Sequence, residues 1–325
     1  METIELGTSG RRTTRLGYGC SGLMGALGRK ESLALLEAAF DAGVRHFDVA
    51  PMDGLGEAES CVGEFLSGRR AEVTVTTKYV VAEPEERGLM SMARKILPGL
   101  KPKPVKSAGR AHSKHRRANF TAARVRESME HSLRALRTDR IDLLLLHEAT
   151  ADDLREDSGG EGLMRMLEDA VAAGTIGSFG VDGEREKVRT LAIKRPRYSR
   201  TVQFGWSLMD APVPAMPGFR IHHRSRTDNF LGFKAGLLED KVRCGKWSET
   251  VGADLADGCV LASLMLKSAL MENPQSVILF SSKSPEHIRR NAETAGDAAL
   301  EAAAKKLYGV VQAQAKGRRA IEAGG

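Results

Sequence analysis

The chain has 325 residues, 42% of them hydrophobic, so it is long and apolar enough to fold around a sizeable core, which excludes a disordered protein. Lys and Arg outnumber Asp and Glu by 49 to 42, and a phosphorylated cofactor would suffice as the anionic partner of this modest +7 charge. The four cysteines form no Cys-x-x-Cys pair, which argues against a disulfide scaffold and favours a reducing, cytoplasmic location.

Two further expectations concern a transmembrane helix and a signal peptide. The longest uninterrupted apolar runs, such as residues 143–146, are too short for a transmembrane helix. Residues 1–5 show no basic region followed by an apolar core, so we expect no signal peptide.

The predicted elements alternate between strands and helices. A hairpin is expected over residues 1–15, before the first strand of the main sheet. The run 141–147 is apolar almost throughout, as a strand buried on both faces of a parallel sheet requires. The predicted strands are 16–20, 44–50, 73–78, 141–147, 176–181, 201–206, 220–223 and 276–280. The predicted helices are 30–42, 57–66, 121–136, 162–173, 184–193, 229–242, 255–271 and 285–295.

About eight such steps favour an α/β fold, a (β/α)8 TIM barrel in one domain over residues 1–325. A doubly wound sheet would alternate similarly, but the Gly-x-Gly-x-x-Gly of residues 17–22 begins inside the first predicted strand and none follows that strand. Three prolines in residues 207–218 predict that the helix expected there is shortened or missing. The polar residues 316–325 are expected to be a frayed tail.

A charged residue interrupts the buried strand at 44–50. Asp48 is costly there unless it has a partner, and it stands close to the loop that Pro51 and Gly54 predict. In a barrel of this kind, catalytic residues lie at the carboxyl ends of strands. Lys78 and His147 also end predicted strands. Taken singly, each is better explained by a buried Asp–Lys ion pair or a satisfied histidine.

Residues 47–59, Phe-Asp-Val-Ala-Pro-Met-Asp-Gly-Leu-Gly-Glu-Ala-Glu, resemble the aldo-keto reductase signature Phe-Asp-x-Ala-x-x-Tyr-Gly-x-Gly-x-Ala-Glu. Thr77-Lys78 and Leu145-Leu146-His147 match two further motifs of that family, and the resemblance extends over nearly the whole chain. It implies a barrel with an N-terminal hairpin and hydride transfer between a nicotinamide and an aldehyde or ketone. It also implies catalytic roles for Asp48, Lys78 and His147.

The family's proton-donating tyrosine falls on Asp53. An ordinary aspartate has a pKa of about 3.9, and a nearby lysine lowers it further, so it cannot donate a proton at pH 7. Two alternatives keep an active reductase: burial raises the pKa of Asp53, or His147 acts as the acid. A third interpretation is a cofactor-binding sensor or scaffold with little or no turnover.

Residues 276–291 resemble the family's cofactor loop, where a strand end and a helix N-terminus offer N–H groups to a phosphate. The loop residues predicted to bind NADP(H) are Ser281, Ser282, Lys283, His287, Arg290 and Asn291. Lys283 and Arg290 favour NADP over NAD. Elsewhere the resemblance implies cofactor contacts at Cys20, Asp182, Gln203 and Trp206. Asp182 stands where serine is usual, and core packing is the alternative for Trp206.

Residues 80–119 form a long basic segment after the third barrel strand. We expect a loop over the active site, one that favours acidic substrates. Nucleic-acid binding is the alternative, but the segment has little aromatic interleaving. His112, His115, His222 and His223 invite a metal interpretation, which no convincing ligand spacing completes. We therefore expect a small-molecule carbonyl substrate, no metal, no nucleic acid, no membrane, and a monomer or weak homo-oligomer.

Overall fold

An antiparallel hairpin precedes the barrel, as predicted. Strand β1 (Thr3–Glu5) pairs with β2 (Arg12–Thr14), and Thr3 lies opposite Thr14.

The structure is a computed structural model that describes residues 1–81, 120–156, 159–213, 216–223 and 227–323. The predicted basic segment 80–119 lies outside the described residues from residue 82 onward, and His112 and His115 lie outside them with it.

Eight parallel strands close into a barrel, which confirms the predicted fold. The first and last strands of the barrel close it, with Leu16 paired with Ile278. The strands are β3 (Leu16–Gly19), β4 (His46–Asp48), β5 (Thr74–Tyr79), β6 (Ile141–His147), β7 (Ile176–Asp182), β8 (Thr201–Gly205), β9 (Phe219–His223) and β10 (Ser276–Phe280).

The described part of the chain contains ten α-helices, which are 8 to 23 residues long. They are α1 (Arg29–Asp41), α2 (Ala58–Phe65), α3 (Ala122–Ala135), α4 (Gly160–Ala172), α5 (Arg185–Lys194), α6 (Thr227–Glu239), α7 (Lys241–Val251), α8 (Gly258–Glu272), α9 (Pro285–Gly296) and α10 (Glu301–Ala323). Between β8 and β9 no helix occurs in residues 207–213 or 216–218, as the three prolines predict. Within the described ranges, no helix is both long and apolar enough to cross a membrane.

Two helices differ from the sequence predictions. The helix predicted at 229–242 ends earlier, because the Asp240 side chain accepts a hydrogen bond from the backbone N–H of Arg243 and begins α7. Residues 316–323, part of the predicted frayed tail, continue α10 to Ala323. That helix is anchored earlier, where Leu307 and Val311 are buried in the core.

The alternation of side chains along β6 fixes what faces the barrel interior. Leu143 and Leu145 join Ile221 and Leu279 in a small apolar cluster inside the barrel. Leu144 and its neighbour at 146 instead belong to the larger core between the strands and the helices. Because strand residues alternate with a period of two, His147 continues the interior row. The barrel interior is therefore apolar around this cluster and becomes polar at the carboxyl ends of the strands.

Candidate active site

An open cavity of about 910 Å³ lies at the carboxyl ends of the barrel strands. The structure brings the four predicted catalytic residues together around it: Asp48, Asp53, Lys78 and His147. Each comes from a different strand or from the loop after β4, so the closed barrel is what places them side by side.

A buried ion pair joins β4 and β5. Lys78 Nζ lies 2.6 Å from Asp48 Oδ1, and the two residues are only 7% and 6% exposed. Burial alone disfavours a charged lysine, but the carboxylates of Asp48, Asp182 and Asp53 more than offset it and raise the pKa of Lys78. Lys78 is therefore a permanent cation at the cavity wall.

The loop after β4 holds Asp53 beside this pair. Gly54 has φ +58°, and a Cβ there would lie 2.5 Å from the backbone oxygen of Leu23, so only glycine permits this close approach. Asp53 Oδ2 accepts a hydrogen bond of 2.8 Å from the backbone N–H of Ala50. The loop therefore fixes both the position of Asp53 and the use of one of its oxygens.

The protonation of Asp53 differs from that of an ordinary aspartate. Burial raises its pKa to about 6, although the charge of Lys78 acts in the opposite direction. The expectation that Lys78 would prevail, and lower the pKa, is wrong because desolvation is the larger effect. A pKa of about 6 leaves this carboxyl mostly ionised at pH 7 but far closer to protonation than an ordinary aspartate.

A second carboxylate pairs with the predicted catalytic histidine. His147 Nδ1 lies 2.6 Å from Asp182 Oδ2, and the two residues are direct neighbours in the β6–β7 register. Burial opposes ionisation of Asp182, but the hydrogen bond from His147 and the charge of Lys78 lower its pKa. Because an ionised carboxylate can only accept a hydrogen bond, His147 Nδ1 carries the hydrogen in this pair. The second ring nitrogen of His147, Nε2, takes no part in it.

The predicted cofactor residues divide into those that line the cavity and those that do not. Gln203 lines it, is buried, and its Oε1 has no hydrogen-bond partner in the described part of the chain. The others that line the cavity are Asp182, Ser281, Ser282 and Lys283. A buried acceptor without a partner is costly unless a donor is supplied from elsewhere, so Gln203 fits a ligand that carries an N–H group.

The N-terminus of α9 follows this wall. Ser284 caps the helix by accepting from the backbone N–H of His287, and Pro285 occupies its first turn. Further along, Asn291 is buried and its Nδ2 lacks a partner among the described residues, whereas Arg290 pairs with Glu286 at 3.2 Å. His287, Arg290 and Asn291 thus lie on α9 outside the cavity lining.

Cys20 and Trp206 also lie outside the cavity lining. Cys20 is fully buried, and burial raises the pKa of its thiol. Trp206 is 3% exposed and stacks on Tyr308 of α10, with ring centroids 6.5 Å apart. Trp206 therefore has the core position that the sequence offered as an alternative to nicotinamide stacking.

Sequence reasoning missed several residues of the cavity wall, including Tyr18, Glu148, Arg185 and His223. His223 ends β9, and its Nε2 lies 3.8 Å from Asp182 Oδ1. The rule that polar residues at strand ends face the site predicts that His223 lines the cavity. The sequence pattern alone suggested His223 only as a metal ligand. In the described ranges no group of three or more His, Cys, Asp or Glu side chains is arranged to hold a metal ion.

Comparison with known proteins agrees with this geometry. The model of the aldo/keto reductase family matches residues 15–204, more than half of the chain. The chain belongs to the aldo/keto reductase family. Among its curated relatives, D-threo-aldose 1-dehydrogenase from Pseudomonas sp. is 31% identical over 209 residues, which cover 61% of this chain and 59% of the relative. Pyridoxal 4-dehydrogenase from Microbacterium luteolum is 32% identical over 192 residues, 55% of either chain. This aldo/keto reductase thus matches less than two thirds of the length of these relatives.

Solved structures of the family share the fold at low identity. An aldo-keto reductase from Bacillus halodurans in its holo form has a TM-score of 0.63 at 19% sequence identity. The match covers 94% of this chain and 96% of the Bacillus halodurans chain. An aldo/keto reductase from Klebsiella pneumoniae in complex with NADP and acetate has a TM-score of 0.60 at 20% identity, with coverages of 94% and 95%. At these identities the likeness establishes the barrel and nothing finer.

Proposed function

We propose that this protein is an NADP(H)-dependent oxidoreductase that transfers hydride between the nicotinamide and a small-molecule aldehyde or ketone. The observation that carries the proposal is the shared cavity: the Lys78–Asp48 ion pair, the His147–Asp182 pair and the unpartnered oxygen of Gln203 all lie at its wall. A cation, an imidazole and an amide acceptor around one cavity are the groups that bind and activate a carbonyl beside a cofactor.

The cofactor would be held by the residues that the structure leaves ready for it. Gln203 Oε1 accepts an amide N–H, and Lys283 at the cavity edge attracts a phosphate. Asn291 and Arg290 on α9 extend the same wall beyond the cavity. When bound, the nicotinamide supplies or accepts the hydride. NADP rather than NAD is proposed because Lys283 and Arg290 are cationic, and the Klebsiella pneumoniae relative is in complex with NADP.

The chain's own groups bind and polarise the carbonyl. The Lys78 ammonium stabilises negative charge that develops on the carbonyl oxygen, and Asp48 holds the ammonium in place. His147 presents its second ring nitrogen on the same wall, and it is about a third exposed (33%). The described cysteines are free thiols, three of them buried, which supports the proposal of a cytoplasmic protein. A monomer or weak homo-oligomer remains our proposal.

The first test is a fluorescence titration of NADPH into the purified protein, followed by NADPH oxidation with a panel of aldehydes. We expect binding and turnover in the wild type, and loss of turnover with retained binding in Lys78→Met. Lys187→Met, a half-exposed lysine away from Asp48, is the matched control. Wild-type protein that binds no NADPH would refute the proposal.

One observation favours a second candidate, a cofactor-binding protein that senses or scaffolds with little turnover. Residue 53 is an aspartate, and its Oδ2 is already used by the N–H of Ala50. The discriminating variant is Asp53→Tyr, which restores the residue usual in the family. Turnover that appears only in Asp53→Tyr, with NADPH affinity unchanged, would establish the second candidate.

A further inference from the structure

We propose that His147 exchanges the proton with the substrate oxygen in place of the missing tyrosine, and that Asp182 is the positioning residue that holds His147 for this role. The inference rests on the proposed oxidoreductase function. It assigns to Asp182 a task that the serine usual at this position in the family cannot perform, since serine carries no charge.

Asp182 is held between two imidazoles. Its Oδ2 lies 2.6 Å from His147 Nδ1, and its Oδ1 lies 3.8 Å from His223 Nε2. Asp182 is only 4% exposed, and the β6–β7 pairing sets it directly beside His147. A buried carboxylate with both oxygens turned toward imidazoles has little freedom to rotate. It therefore fixes the orientation and the tautomer of the His147 ring.

Two tyrosines near the cavity are engaged in other contacts. The Tyr18 hydroxyl donates to the Ser282 backbone oxygen at 2.7 Å, and burial raises its pKa. Tyr79 is buried on the outer side of β5, where its ring packs edge-on against Phe120. Neither phenol is placed to take over from the tyrosine that the family carries at position 53.

Lys78 and Asp53 are also poorly suited. Lys78 is locked to Asp48 and its raised pKa makes it a weak acid. Asp53 has one oxygen tied to the N–H of Ala50, and its carboxyl is mostly ionised at pH 7. His147, a third exposed and held by Asp182 at 2.6 Å, can both reach the substrate and exchange a proton with solvent. His223, the other imidazole of the wall, lies farther from Asp182, at 3.8 Å.

In reduction, hydride adds to the carbonyl carbon, and the carbon–oxygen π bond breaks with its electron pair going to oxygen. That oxygen takes the proton from His147 Nε2, which leaves a neutral ring with Nδ1–H still bonded to Asp182. The carbonyl carbon is reduced and the nicotinamide is oxidised, and solvent returns a proton to Nε2. In oxidation, the neutral ring accepts the alcohol proton through Nε2.

The first measurement needs no turnover. In ¹H–¹⁵N NMR spectra of the protein labelled at histidine, the Nδ1–H of His147 should give a strongly downfield proton signal, assigned through its loss in His147→Gln. We expect the signal to move upfield or vanish in Asp182→Asn and Asp182→Ser. Asp169→Asn, an exposed carboxylate on α4, should leave it unchanged. A signal unaffected by both Asp182 variants overturns the proposed pairing.

The second measurement separates positioning from binding. We expect His147→Gln and Asp182→Asn to lower kcat by roughly 10²–10⁴-fold, with KM and NADPH affinity nearly unchanged. Asp53→Asn should lower kcat far less than His147→Gln does, and Asp169→Asn, an exposed carboxylate on α4, should keep the wild-type kcat. Added imidazole should restore part of the turnover of His147→Gly, an effect that a merely structural histidine would not show.

The outcomes distinguish this proposal from the proposed function. NADPH turnover that survives in Asp182→Asn but is lost in Asp53→Asn would overturn the role of His147 and leave an active reductase with Asp53 as its acid. Wild-type protein that binds NADPH but reduces no carbonyl would refute the oxidoreductase function, and the catalytic role of His147 with it. The NMR signal would then still report whether the Asp182–His147 pair exists.

Discussion

Replacing Asp53 by Asn should make the protein more stable at neutral pH and change its stability little in acid. The pKa of Asp53 is raised from 3.8 to about 6, mainly by burial. Below pH 3.8 both the folded and the unfolded chain carry the proton. As pH rises from 3.8 to 6 the unfolded chain ionises while the folded protein resists, so the folded state loses stability through this window and regains none above it. Asparagine does not titrate and still accepts from Ala50 through its amide oxygen.

The expected gain in stability follows from how far the pKa of Asp53 is raised. A change of about 2 pKa units corresponds to about 3 kcal/mol, since each unit is worth about 1.36 kcal/mol. Asp53 is partly exposed at the cavity wall, where solvent screens its charge, so an effect of about 1–2 kcal/mol is expected.

Urea denaturation of the wild type and Asp53→Asn between pH 3.5 and pH 8, each pH step about half a unit, would measure this difference. The Asp169→Asn variant, which replaces an exposed carboxylate on α4, serves as the control. A difference between wild type and Asp53→Asn that stays flat from pH 3.5 to pH 8 would show that burial does not control this carboxyl.

Three further predictions concern the cavity wall. Lys78→Met leaves Asp48 buried without its counter-ion and should lower the free energy of unfolding by about 3–5 kcal/mol, measured in urea; an unchanged midpoint would contradict the buried pair. Gly54→Ala should cost more stability than Gly252→Ala by about 1–2 kcal/mol in thermal melts, because both have positive φ but only Gly54 would gain a clashing Cβ. Gln203→Leu should weaken NADPH binding about 3- to 10-fold in fluorescence titrations, since it removes the unpartnered acceptor.

The barrel and part of its site follow from local sequence patterns. Strand periodicity and the strand-end rule are enough to bring Asp48, Lys78 and His147 to one end of the barrel, because parallel strands all point the same way. Family resemblance added Gln203, whose position at the end of β8 the same rule explains. The strand at 220–223 was found from only four residues and extends by one in the structure.

What the sequence did not predict depends on the packing of distant residues. The partner of Asp182 is set by the register between β6 and β7, which no local pattern determines. The sign of the pKa shift at Asp53 depends on how much burial outweighs Lys78, a balance that spacing does not reveal. Trp206 stacks on Tyr308, which lies in a helix that the sequence analysis did not predict.

The two unusual aspartates of this site are best understood together. The family resemblance puts Asp53 and Asp182 where neutral Tyr and Ser are usual, and both add to Asp48 in raising the pKa of Lys78. A lysine held so firmly as a cation stabilises an oxyanion but does not deliver a proton. A site with Asp53 alone changed would therefore bind a carbonyl and lack an acid. In our proposal Asp182 compensates because it holds His147, which takes the place of the missing acid. The proposal thus connects the aspartate at position 53 and the Asp182–His147 pair as two parts of the acid–base chemistry around Lys78.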